Sequence, residues 1–248
     1  MLRKVLRDAL LAATLAVSAA EMTREEIVQL LEKAGPEEKI DLRRKDLRGV
    51  DLSRLDLRNV DLWGADLRGA DLSGANLQGQ DLSSAVLRGA NLKGANLEGV
   101  RIFSAMMAEA NLEGANLRNS RITAILDRAN LKGADLRGAF WGADMKNQPM
   151  GIVRAVARYA DFSKARLEGA NMSRVDFSFS RFRQANLEGV NFYYAVLEGA
   201  DFRGANLKGA DLRKARLAGA DFRGAHLKGA DFTGARGLQE AKGIEIGR

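Results

Sequence analysis

The sequence predicts an all-β solenoid, a chain that turns a corner every five residues, and three observations predict it. From Leu42 through Leu47 and Leu52 to Ile122 an apolar residue recurs at every fifth position without a break, a period that fits neither the helix nor the flat strand. Asp or Asn stands just before that residue and Gly often two places after it, both turn-forming types. Phe162, Phe182, Phe202 and Phe222 share the central position at intervals of twenty residues. A coil that closes after four corners would stack these rings as a column on one inner face, and a three-sided coil would scatter them.

Composition sets the bounds. Of 248 residues, 46% are hydrophobic and only two are proline, enough to bury a core and unlike a disordered tract. With no cysteine, disulfide frameworks, thiolate metal sites and cysteine nucleophiles are excluded. Residues 1–22 form an apolar N-terminal segment: a basic start precedes the run Ala9–Ala20, too short to cross a bilayer as a helix, so no transmembrane span is expected. One reading is a signal peptide cut before Glu21, with Ser18 and Ala20 as the small residues and Asp8 its weak point. The other is a retained helix with Leu2, Val5, Leu6, Ala9 and Leu10 on one face; a start at Met22 is a third. A retained segment implies a cytoplasmic protein, a cleaved one an exported periplasmic or lumenal protein.

Residues 23–38 read as a capping helix, opened by the Thr23/Glu26 capping box, carrying apolar Ile27, Leu30 and Leu31, and stopped by Gly35 and Pro36. It is expected to lie over the first open coil. From 39 to 236 the period-five pattern takes over. If the central residue is i, then i and i−2 point inward, large against small. Asp or Asn at i−1 bonds nearby backbone at the corner, and i+1 faces solvent.

Blocks such as ADLRG, ANLKG and ADFRG resemble the consensus of the pentapeptide-repeat family across 39–236. The resemblance implies a right-handed, quadrilateral parallel β-helix of about nine coils, about 45 Å long. Leu42, Leu62 and Leu82 with the four phenylalanines above are the expected structural core. An interruption is placed at about 148–159, after two four-residue steps, ILDR and AFWG. Ile122 and Phe162, forty residues apart, are expected to return to one face. Pro149–Tyr159 reads as a short helix exposing Arg154 and Arg158, either a tolerated bulge or a projecting recognition loop. Residues 237–248 leave the repeat as a C-terminal cap or tail. There Leu238, Ile244 and Ile246 cover the last strand edges or make a homodimer through a coil end, an arrangement the family resemblance implies.

The net charge of +7 raises nucleic acid as a partner. Arg48, Arg68 and Arg88 stack on one face and Arg183, Arg203 and Arg223 on another, yet Asp columns run beside them, so a solvated mixed-charge surface is the plainer reading. Outward Trp63 and Phe103, with Tyr193 and Tyr194, are candidate anchors for a partner. The single histidine, His226, occupies an i−1 turn slot, and no catalytic, metal or cofactor constellation is expected. In the family, DNA gyrase is bound by an acidic imitation of duplex DNA, a requirement that a positive net charge opposes. The expected function is a non-enzymatic scaffold for an unidentified protein partner or for structural support; the alternative is a nucleic-acid-associated or gyrase-regulating protein.

Overall fold

The structure, a computed structural model, describes residues 20–35, 38–142 and 154–244. The readings that fall on 1–19, Pro36, 148–153 and Ile246 lie outside the described residues. The chain is a right-handed quadrilateral β-helix, and its hydrogen bonding follows from the five-residue block. The N–H at i donates to the next coil (Leu47 to the Asp66 carbonyl, 2.8 Å), as does that at i+2 (Gly49 to Arg68, 3.0 Å). The N–H at i−1 donates to the previous coil (Asp66 to Lys45, 2.9 Å). That at i+3 closes the corner on the carbonyl of i, as from Ala70 to Leu67 at 3.1 Å. Positive φ at i+2, for example +66° at Gly49, makes each corner a turn of the type II kind.

One donor per block is left over, the N–H at i+1, and it explains the acidic or amide residue. Oδ1 of Asp41 accepts from the Arg43 N–H at 3.0 Å, and Oδ1 of Asp51 from the Ser53 N–H at 2.8 Å. Every backbone donor of such a block is thus satisfied. Asparagines do this and also link coils: Nδ2 of Asn111 donates to Asn91 at 3.2 Å, and Nδ2 of Asn130 to Asn111 at 3.0 Å.

The blocks form four faces, which we number from the one centred on Leu42. Successive coils pair in parallel twenty residues apart, as in β1 (Ile40–Asp41) with β2 (Val60–Asp61). The register departs from twenty twice within the ladder, and once more at its end, where Asp221 pairs with Lys242. β3 (Arg101–Met106) pairs with β4 (Arg121–Ile125) through a bulge between Phe103 and Met106, which absorbs the four-residue step and shortens the register to nineteen, as in Asn111 with Asn130. Across 143–153 it lengthens to 31, as in Phe140 with Asn171.

These registers correct three expectations. Ile122 lies in the column of Trp141 and Met172, whereas Phe162 stands in that of Leu112 and Leu131. One deletion and one insertion leave only six corner-to-corner steps between Ile122 and Phe162, and so opposite faces. The step AFWG is not short: Leu136 and Trp141 are five residues apart and both buried centres. Nor does a helix cover 154–159. Ala155 and Ala157 are buried, Val156 bridges Ile125 and Asp176, and Tyr159 has φ +59°, so these residues are already a block of the ladder. Its centre is alanine, which hid it.

The core is continuous. Leu42, Leu62 and Leu82 are buried on face one, and Phe162, Phe182, Phe202 and Phe222 on face three stack with centroids 4.9, 5.0 and 4.8 Å apart. Phe177 and Phe192 meet Phe182 edge-on at 5.3 and 5.9 Å, the preferred geometry for crossed aromatics. Buried Trp141 donates its indole N–H to Oγ of Ser120 at 3.2 Å.

Each end carries a segment outside the repeat. Helix α1 (Arg24–Lys33) has both capping-box bonds, Glu26 N–H to Thr23 Oγ1 at 3.3 Å and Thr23 N–H to Glu26 Oε2 at 2.7 Å. It buries Ile27 over the first coil, and Arg24 holds it there through the carbonyls of Asp51 (2.9 Å) and Ser53 (3.2 Å). At the other end the ladder continues past the repeat motif, where Lys242 pairs with Asp221 and Leu238 and Ile244 pack against the core.

Candidate interaction surface

Surface charge is organised by the same block. An arginine at i+1 folds back over the aspartate at i−1 of its own block: Arg48 on Asp46 at 2.5 Å, Arg68 on Asp66 at 2.5 Å, Arg203 on Asp201 at 2.8 Å and Arg223 on Asp221 at 2.6 Å. Many also reach the next coil, as Arg183 does to Asp201 at 2.5 Å, and Arg88 meets Glu109 at 3.2 Å. The Arg48 guanidinium hydrogen-bonded to Asp46 holds that carboxyl down at about 2. Burial pushes Asp201 up, but the hydrogen bonds from Arg203 and Arg183 outweigh it and leave the carboxyl well below the usual range. The two arginine columns are therefore ladders of alternating charge, and neither is a contiguous cationic strip for phosphates. His226 takes a ladder slot opposite Asn206.

The aromatic candidates divide. Trp63 is half-buried beneath Arg44, 4.8 Å from the ring centroid, whereas Phe103 on the same face is exposed. Tyr193 and Tyr194 meet edge-on at 4.6 Å, and Arg174 lies over Tyr194 at 4.7 Å. Arg158 pairs with Asp127 at 2.5 Å. Arg154 is exposed and, with Arg174, Tyr194, Val196 and Arg216, lines a groove at the corner between faces one and two.

A further set of residues escaped the sequence reading. On face two the i−1 column begins with Asp46 and Asp66 and then runs Val86, Met106, Ile125 and Val156 on four successive coils before Asp176 and Val196. The side chain at i−1 points outward, so Met106 and Ile125 are 51% and 47% exposed. Phe103 stands at one edge of this strip, and Tyr159 and Phe179, stacked at 5.2 Å, at the other. The signal was legible as hydrophobic residues in an Asp/Asn slot, in AVLRG, SAMMA and AILDR; Val156 became assignable only with the frame. The substitution has a backbone consequence as well. With no Asx oxygen beside it, the Arg158 N–H turns to Oδ1 of Asp127 at 3.0 Å, and the Phe103 N–H, after Arg101, to Oγ of Ser83 at 3.1 Å.

Charge pairing is interrupted beside the strip, where Arg128 lies over Tyr159 at 6.0 Å, and on face one, where Arg121 lies over Phe140 at 5.9 Å. Among the described residues Arg121, Arg128, Arg154 and Arg174 make no ion pair. The described residues also contain no cluster of His, Asp and Glu fit to hold a metal ion, and no helix long and apolar enough to cross a membrane.

Comparison with known proteins places this geometry. No curated protein matches the chain. Among solved structures, HetL, a protein involved in heterocyst differentiation regulation from the cyanobacterium Nostoc sp. strain PCC 7120, is 30% identical; the match covers 90% of this chain and 95% of HetL, with a TM-score of 0.41. Trypsin-treated QnrB1, a plasmid-mediated fluoroquinolone resistance protein, is 21% identical over 83% of this chain and 94% of its own, with a TM-score of 0.46. A thylakoid-lumen protein of Arabidopsis thaliana is 30% identical over 45% of this chain and 68% of its own, with a TM-score of 0.21. The family model for pentapeptide repeats matches in eight copies, from 39–64 through 200–236. With that model spanning most of the ladder described above, the chain belongs to the pentapeptide repeat family.

Proposed function

We propose that the prism is a non-enzymatic scaffold whose side faces bind another protein. The observation that carries this reading is the apolar strip on face two, where the repeat's Asp/Asn slot holds Val86, Met106, Ile125 and Val156, the two central residues exposed and the two valines half-buried. Elsewhere the same slot supplies a turn acceptor and an ion-pair partner, so apolar residues there give up both and leave hydrophobic surface in water. Helix α1 over the first coil favours a side face over pairing through that end. A nucleic-acid role draws less support, since the arginine columns are interleaved with carboxylates.

The test is site-specific photo-crosslinking in native cells, with the probe placed in turn on each of the four faces of the full chain. A discrete adduct with one other protein is the expected result. Absence of any adduct from all four faces, or turnover of a substrate by the purified chain, would overturn the scaffold reading.

A further inference from the structure

We infer that the strip on face two is the seat of an acidic amphipathic α-helix from a partner protein, laid parallel to the prism axis. This deepens the scaffold reading and rests on it. Coils repeat at roughly 4.8 Å along the axis, so Val86, Met106, Ile125 and Val156 form a row with one apolar side chain per coil. An α-helix presents apolar side chains at i, i+3, i+4 and i+7, about one per 5.4 Å turn. Over the three intervals of the row the two repeats drift apart by less than about 2 Å, so one helix seats an anchor on each coil. An extended peptide lying the same way presents one side chain per face every ~6.8 Å and loses register at once. Adding a strand to a sheet edge would set the peptide at an end of the prism, across the axis and away from the row.

Charge selects the polar face of that helix. Arg154 stands at the corner toward face one and Arg128 at the corner toward face three. Neither has a carboxylate partner among the described residues. A helix whose apolar stripe is bordered on both sides by Glu or Asp supplies the missing partners. A second copy of this strip would bring the same arginines against one another.

The probe is a labelled synthetic peptide of about 18 residues, with Leu at i, i+3, i+4 and i+7 spacing and Glu beside it, read by fluorescence anisotropy on the full chain. A scramble of the same composition and a version with Lys for Glu are the controls. The expected result is that the Glu peptide binds at least about tenfold more tightly than either control. Met106→Asn with Ile125→Asn should weaken it at least about tenfold, and Arg128→Gln with Arg154→Gln by a similar factor. Asparagine is the residue the repeat itself uses at this slot, so the first variant keeps its coil and its circular dichroism. Equal binding of peptide and scramble, or binding indifferent to both double variants, overturns the proposal. So does capture by vesicles of phosphatidylcholine with phosphatidylglycerol in place of the peptide, or a dimer abolished by the asparagine variant. A partner crosslinked on another face leaves the scaffold reading standing and removes this one.

Discussion

At the scale of the residue, the interior depends on large side chains set against small ones, with polar atoms admitted only where they are partnered. Phe182 is stacked on both sides, by Phe162 and Phe202, and met edge-on by Phe177 and Phe192. Truncation to alanine removes a ring from the middle of a column that closes poorly, since each coil is fixed by its own corners. Phe182→Ala is expected to cost about 3–5 kcal/mol in a urea titration, and a cost below about 1 kcal/mol would show that the coils collapse around the gap. Ser120 makes the polar case. It is buried, and its Oγ is the acceptor for the Trp141 indole. Ser120→Ala leaves that N–H buried without a partner, a loss of about 1–3 kcal/mol, accompanied by a change in tryptophan emission that a purely steric effect on the coil would not produce. Glycine matters most at Gly243, where φ is +78° and an added Cβ would lie 2.5 Å from the Arg223 nitrogen; there even alanine is excluded.

At the scale of the element, the unit is the corner rather than the strand. A five-residue block satisfies its own N–H groups and hands two to the next coil, so the chain needs no long strands and forms few. The end elements exist to cover what the last blocks cannot satisfy. Thr23→Ala removes one of the two capping-box bonds of α1 and is expected to cost about 1 kcal/mol, seen first as faster hydrogen exchange in the coil beneath Ile27. If exchange there is unchanged, α1 is held by Arg24 and not by its cap. The period and turn chemistry of these blocks were readable because every corner repeats the same few residue types. What was not readable is instructive. The block around Ala157 carries alanine at a slot otherwise filled by larger residues, beside Phe162 of the next block and Phe177 of the next coil, two rings that meet edge-on at 5.5 Å, so the small centre is set against large neighbours. The four-residue step ILDR marked the place of the bulge between β3 and β4, but its effect on the faces was hidden, because a one-residue deletion and an eleven-residue insertion can mimic whole turns when only the distance between two apolar residues is counted. For the same reason the partner strip on face two needed the coils to be stacked before its four members became neighbours.

At the scale of the whole molecule, the surface is a set of charge ladders, and their collective titration gives the prism a defined response to acid. Asp46, Asp66, Asp135, Asp211 and Asp221 are all held below the usual carboxylate range, chiefly by hydrogen bonds from the arginine two residues on. A carboxyl depressed in the folded state is protonated first in the unfolded chain, so its contribution to stability is complete above the unfolded value near 4 and is lost as pH falls through the folded value. For Asp46 that window runs from roughly 4 down to about 2. Each exposed pair contributes little, but the pairs recur along the ladders and act in one direction. The midpoint of thermal unfolding is expected to be flat from about pH 8 to about pH 5 and to fall steadily below about pH 4. Replacing Asp46, Asp66, Asp201 and Asp221 together by asparagine separates charge from turn chemistry. Asparagine keeps the Oδ1 that accepts the N–H at i+1, as Asn91 does for Lys93 at 3.3 Å, but cannot take up the proton. That variant should fold at neutral pH and show a shallower acid slope than the parent chain. An unchanged slope would move the acid response away from the Asp–Arg ladders, and loss of folding at neutral pH would mean that charge, and not the hydrogen-bonded corner, holds each block in place.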